Sequence, residues 1–292
     1  MNKEWVKEKI RIYWKLCVLL ILLLGVGLVF FFAFRSQNRP LRVAFLDIGQ
    51  GDAIFIESPT GNQIIFDGGP GGALVSQVSK QMSLFDRSID MIVVTNPDRD
   101  HFEGFIPLLS RYSVAAVLEP GVSADENAVY AELHRVVAAQ SIPIIEARTG
   151  QKIMLGGGAY IEVLFPDRDI EDVSHNDGSL IARLVYGETS VLLTGDTTKN
   201  IENYLVSKYP TSLDSDILKV AHHGSETSTG DEFVKAVSPD IAVISAGKGN
   251  SYGHPRVVTL ETLQNNKVET LVTMHEGTIV FESDGRAFKR KK

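Results

Sequence analysis

Cysteine is nearly absent from this chain. Among 292 residues there is one, Cys17, which excludes a disulfide framework and a cysteine-built zinc finger. Any metal site must then be made from His, Asp, Glu or Asn. Low-complexity stretches and internal repeats are also missing between Leu41 and Asp284. With 44% hydrophobic and 22% charged residues, a mainly disordered chain, a collagen-like repeat and a long coiled coil are excluded. A basic stripe is missing too. Residues 41–292 carry 22 Lys or Arg against 34 Asp or Glu, a net charge of −12. Four cations, Lys289 to Lys292, close the chain. A domain that grips nucleic acid by its backbone usually shows a basic face; outside this tail there is none.

Long apolar runs are missing with one exception. Residues 16–34 read LCVLLILLLGVGLVFFFAF, without a charge. At ~1.5 Å rise per residue this run spans close to the ~30 Å hydrocarbon core. Tyr13 and Trp14 stand where an interfacial aromatic belt would sit. The run is expected to be a single transmembrane helix. Five cations precede it (Lys3, Lys7, Lys9, Arg11, Lys15) and three follow it (Arg35, Arg39, Arg42). This bias places the N-terminus in the cytoplasm and the body outside, at the cell membrane. A cleaved signal peptide is the competing reading. The run exceeds a usual signal core and no small-x-small site follows, which favours an uncleaved anchor. One expected span argues against a complete DNA-uptake machine in this chain, and a separate channel protein is a candidate partner.

The expected organisation is a cytoplasmic segment 1–15, the helix 16–34, a linker 35–40, a hydrolase-like domain 41–285 and a basic tail 286–292. No linker divides residues 41–285, so one large α/β domain is expected. Apolar strands alternate with helices, as at IDMIVVT (89–95), AYIEVLF (159–165), SVLLTG (190–195), DILKVA (216–221) and DIAVISA (240–246). Two similar halves suggest two sheets packed face to face with helices outside.

Polar residues stand at the ends of these strands. Asp47 and Asp67 end strands; Asn96, Asp98, Asp100 and His101 follow Thr95; His175, Asn176 and Asp177 precede a strand. Asp196 follows Thr194-Gly195, and His222 and His223 follow Ala221. Singly, each could shape a turn or cap a helix. Loops at strand ends gather on one sheet edge, where sites form.

In this order the motifs resemble the metallo-β-lactamase superfamily. They are most similar to the extracellular hydrolase-like domain of ComEC-type DNA-uptake proteins. The resemblance rests on Leu46-Asp47-Ile48-Gly49-Gln50-Gly51-Asp52-Ala53, Asp67-Gly68-Gly69, Thr95-Asn96-Pro97-Asp98-Arg99-Asp100-His101 and Asn176-Asp177-Gly178-Ser179-Leu180. It continues through Thr194-Gly195-Asp196, Leu218 to Ser225 and Asn250 to Pro255. It implies a four-layer αββα sandwich behind one transmembrane helix, binding one or two divalent ions. The implied metal ligands are Asp98, Asp100, His101, Asp177, Asp196 and His222, with Asp196 bridging. The implied catalytic groups are Asp100, His223, His254 and Ser225.

Two departures stand out. Asn96 replaces the first His of the superfamily's H-x-H-x-D-H, and a mid-chain His is replaced by Asn176 or Asp177, with His175 adjacent. An oxygen-rich first site suits Mn²⁺ or Mg²⁺, while His101 and His222 could hold Zn²⁺. The function expected is a membrane-anchored, metal-dependent phosphodiesterase or nuclease, with DNA as the substrate the resemblance implies. The alternatives are a binding module of the same fold with weakened turnover and a hydrolase of a cell-surface phosphoester. The sequence leaves the oligomeric state open.

Overall fold

The computed structural model describes residues 13–27, 39–123 and 127–291. Residues 13–27 are helical, with exposed leucines. The apolar run 16–34 continues beyond them, so its second part lies outside the described residues. Among the described residues no helix is long and apolar enough to cross a membrane.

Residues 40–292 form a compact unit. Its first sheet has eight strands, in the order Phe288–Lys291, Ile279–Ser283, Leu41–Phe45, Ile54–Glu57, Gln63–Phe66, Met91–Val93, Val117–Glu119 and Ile144–Glu146. Its second has seven, in the order Glu269–Val272, Ile241–Ile244, Ile217–Lys219, Thr189–Leu193, Ile181–Tyr186, Ala159–Phe165 and Lys152–Gly156. Side-chain alternation explains how the sheets stack. Leu41, Val43, Phe45, Ile64 and Phe66 point inward and meet Ile161, Val163, Leu184, Val191 and Ile217 of the other sheet. Ala44, Phe55 and Ile65 point outward, onto helices Ala73–Gln81, Phe105–Leu109 and Ala128–Ala139. Leu192 and Leu218 do the same toward helices Lys199–Lys208 and Asp231–Val237. The result is the αββα sandwich that the paired halves of the sequence suggested.

The segment 286–292, expected as a tail, is different. Phe288–Lys291 pairs antiparallel with Ile279–Ser283 and closes one edge of the first sheet. Its cations find carboxylates there: Lys291 meets Glu282 at 2.8 Å and Arg290 meets Glu276 at 2.5 Å. Charge on an edge strand discourages further strand pairing, a role that a solvated tail would not have.

The site depends on strand direction. Gln63–Phe66, Met91–Val93 and Val117–Glu119 run parallel, as do Thr189–Leu193, Ile217–Lys219 and Ile241–Ile244. Their C-terminal ends collect Asp67, Thr95, Asn96, Asp196, His222, His223 and Ser245 on one edge of the sandwich.

Candidate metal centre

Four buried side chains converge on this edge. Asp52, His101, Asp196 and His223 each offer a ligand atom, and these atoms lie within 4.8 Å of one another. Local backbone geometry puts them there. Asp67 adopts a left-handed φ of 58°, as do His222 and His223 at 50° and 53°; such conformations in non-glycine residues persist where the surroundings fix them. Gly51 has φ 113°, and a Cβ on it would sit 2.3 Å from the Asp100 carbonyl oxygen. Only glycine permits that approach, which lets the Asp52 N–H donate to Asp100 O at 3.1 Å.

The two imidazoles are held by their Nδ1 atoms. His101 Nδ1 lies 2.8 Å from Asp67 Oδ2, and Asp67 in turn accepts from the N–H and hydroxyl of Thr95. His223 Nδ1 donates to the Ser245 carbonyl at 3.0 Å. Fixing Nδ1 in this way turns Nε2 of each ring inward, the arrangement by which carboxylates and carbonyls orient metal-binding histidines. His101 Nε2 lies 3.1 Å from Asp196 Oδ2, and His223 Nε2 lies 3.2 Å from Asp100 Oδ2 and 3.5 Å from Asp196 Oδ2.

Buried polar atoms are normally paired, and in this cluster five have no hydrogen-bond partner: His101 Nε2, His223 Nε2, Asp196 Oδ1 and the two carboxylate oxygens of Asp52. The two Nε2 atoms face the Asp196 carboxylate, at 3.1 and 3.5 Å from its Oδ2. Two aromatic nitrogens and a carboxylate are a donor set that fits a divalent cation.

Opposite charges face each other across the cluster. Burial pushes the Asp196 carboxyl up, but His101 and His223 outweigh it and hold the group well below its ordinary value. Burial lowers the His223 pKa, yet Asp196 and Asp52 carry it up to about 10. The carboxylates thus draw positive charge onto the imidazoles. Asp52 is matched separately: it forms an ion pair with the buried Lys219, whose ammonium also donates to Gly195 O at 3.2 Å. Lys219 and both imidazoles outweigh burial and place Asp52 at about 2.

Above the cluster opens a cleft of about 310 Å³, lined by Gln50, Asp98, Arg99, Asp100, Asp196, His222, His223, Tyr252 and His254. Of the site residues expected from sequence, Asp98, Asp100, Asp196, His222, His223 and His254 come together here, and His101 lies buried beneath. The two adjacent histidines take different places: His223 is in the buried cluster, while His222 is a quarter exposed, with Nε2 3.8 Å from Asp196 Oδ2. Two residues stand apart. Asp177 accepts from the Thr198 hydroxyl, and Ser225 is bonded to Thr227 Oγ1 at 2.9 Å within its own loop. Neither lines the cleft. Three members of the network were not singled out from sequence as site residues: Asp52, the His101 partner Asp67, and Lys219. The signal for Lys219 was there, a charge inside the otherwise apolar run Ile217 to Ala221.

The family model for the metallo-β-lactamase superfamily matches residues 46–248. The chain belongs to the metallo-β-lactamase superfamily. Within it, the chain is 30% identical over 276 residues to ComE operon protein 3 of Bacillus subtilis (strain 168), covering 87% of this chain and 34% of that protein. It is 29% identical over 279 residues to the competence protein ComA of Neisseria gonorrhoeae, covering 91% of this chain and 37% of that one. The chain thus spans about a third of the length of these curated relatives. Among solved structures it is similar to CmlA, a diiron β-hydroxylase from Streptomyces venezuelae. The TM-score is 0.55 at 16% identity, covering 87% of this chain and 54% of that one; this likeness concerns the fold alone.

Proposed function

We propose that this metallo-β-lactamase-fold protein is a metal-dependent hydrolase of phosphoester bonds, carried at the membrane by its apolar N-terminal run. The observation that supports this reading best is the convergence of His101 Nε2 and His223 Nε2, both without a hydrogen-bond partner, on the Asp196 carboxylate beside an open cleft. His101, Asp196 and His223 would hold the ion, with Asp100 on the cleft side. Such an ion, when bound, supplies a lowered water pKa and charge stabilisation at a phosphoryl oxygen.

The protein's own groups would do the rest. Gln50 Nε2 is buried without a partner and lines the cleft, a donor for a substrate oxygen. Burial, then the fields of His222 and His223, push the His254 pKa down to about 4. Its ring is therefore neutral at pH 7 and can donate one N–H to a phosphoryl or leaving-group oxygen. Tyr252 stacks on His254 with centroids 5.8 Å apart and is 59% exposed, a flat wall for a sugar or base. The competence name of the Neisseria relative supports DNA as the phosphodiester. The net charge of −12 beyond residue 40 favours a second substrate, a short cell-surface phosphoester.

The test uses the full chain in detergent, stripped with EDTA and reloaded with Mn²⁺, Zn²⁺ or Mg²⁺. Hydrolysis of bis(p-nitrophenyl) phosphate, single-stranded DNA and a small phosphodiester is followed. EDTA is expected to abolish turnover and one of the ions to restore it. No bound ion and no turnover under any of these conditions would leave a binding module of the same fold.

Anchoring rests on the uncharged run 16–34. The chain is expected to stay in the membrane pellet after an alkaline carbonate wash. Its appearance in the supernatant would remove the anchor.

A further inference from the structure

We infer that this centre holds one ion, because a closed network of neutral amides occupies the position of a second. The inference rests on the metal-dependent reading above. In the superfamily motif the H-x-H pair stands at Asn96 and Asp98 of this chain. Asn96 is fully buried, and its amide is wholly used. Nδ2 donates to Asn176 Oδ1 at 3.0 Å and to Ser179 Oγ at 3.3 Å, and Oδ1 accepts from the Asp98 N–H at 2.8 Å. Ser179 Oγ also accepts from the Asp196 N–H at 3.3 Å, which joins the network to the back of the metal cluster. Asp98 is matched by His175, whose Nδ1 lies 2.7 Å from Asp98 Oδ1. Asp177 is engaged by Thr198 on the far side.

The contrast between the two halves of the site carries the argument. Around His101 and His223, buried donor atoms are left without partners. None of the buried atoms so orphaned belongs to Asn96, Asn176 or Ser179. A buried polar group without a partner costs ~1–3 kcal/mol; the unpartnered ligand-type atoms gather around His101, Asp196 and His223, where a cation would satisfy them, and not around Asn96. A second divalent ion would have to break the amide network and take neutral oxygens in exchange. Close to a first ion it would also meet like-charge repulsion, which one carboxylate, Asp98, already paired to an imidazole, offsets poorly.

The experiment is ion counting on the full chain in detergent, with Mn²⁺ alone as the probe. Equilibrium dialysis with elemental analysis is expected to give one Mn²⁺ per chain, and low-temperature electron paramagnetic resonance an isolated Mn²⁺ signal. Asn96→His combined with Asn176→His is expected to raise the count from one to two and to give a spin-coupled signal. Two ions and a coupled signal in the wild type would overturn this inference and leave the hydrolase reading standing. No ion in the wild type would overturn the reading itself. A double variant that folds, by its circular dichroism, and still binds one ion would show that the amides are not what excludes the second. If the double variant does not fold, the wild-type count and spectrum decide alone.

Discussion

Asp196→Asn is expected to lower ion affinity and phosphodiester turnover together, by on the order of 10³-fold or more. Losses of ~10–100-fold are usual when a group behind a ligand is removed, and Asp196 is at the centre of the cluster itself. Its carboxylate lies within 3.1 to 3.8 Å of His101, His223 and His222. It is the anion that both buried rings face, and an amide at the same place offers a neutral oxygen or a competing N–H. The turn Thr194-Gly195-Asp196 should persist, because Thr194 Oγ1 donates to Lys219 O and the Asp196 N–H bonds to Ser179 irrespective of the side chain. Thermal unfolding separates the two effects. An ion present at ~100 times its Kd stabilises the wild type by ~2.7 kcal/mol, and the variant should lose that increment while its metal-free unfolding stays near the wild type. Wild-type turnover in Asp196→Asn would remove the proposed centre.

Lys219→Met is expected to destabilise the fold by ~3–5 kcal/mol, as when one partner of a buried ion pair is removed. Lys219 and Asp52 are each about 1% exposed, so without the ammonium the Asp52 carboxylate is left buried beside Asp196. Chemical denaturation measures the loss. Asp52→Asn combined with Lys219→Met should recover most of it, since both charges then leave together. The pH dependence has a definite sign. The Asp52 pKa is depressed on folding, from 3.8 to about 2. Its contribution is therefore present above pH ~3.8 and is lost as the pH falls toward 2. That loss should be smaller in the double variant. A single variant as stable as the wild type would show that the pair contributes nothing.

Much of the fold was legible in the residues. Apolar runs with turn residues between them marked the strands. The strand Ala159–Phe165 coincides with the apolar run AYIEVLF. The basic C-terminal segment was not legible, because edge pairing is a contact with a strand that its own composition does not reveal. The same limit governs the site. Asp98, Asp100, His101, Asp196 and His223 stood out because polar residues at strand ends are sequence-local signals. Lys219 did not, since its work is done on Asp52, 167 residues away; Asp67 was legible as a strand-end carboxylate but not as the support of His101, 34 residues on.

The sequence by itself determined the element types, the absence of thiol ligands, the apolar N-terminal run and the pool of His and Asp from which a centre could be built. Tertiary structure decided which members of that pool meet. It chose His223 over its neighbour His222 for the buried cluster, because two successive left-handed residues send adjacent rings in different directions. It also made Asn96, which replaces a His of the superfamily motif, the hub of an amide network, because Asn176 and Ser179, 80 and 83 residues away, close on it across the sheet edge. Ligand identity is a property of residue type, but ligand geometry depends on which strand ends the packing of two sheets brings together.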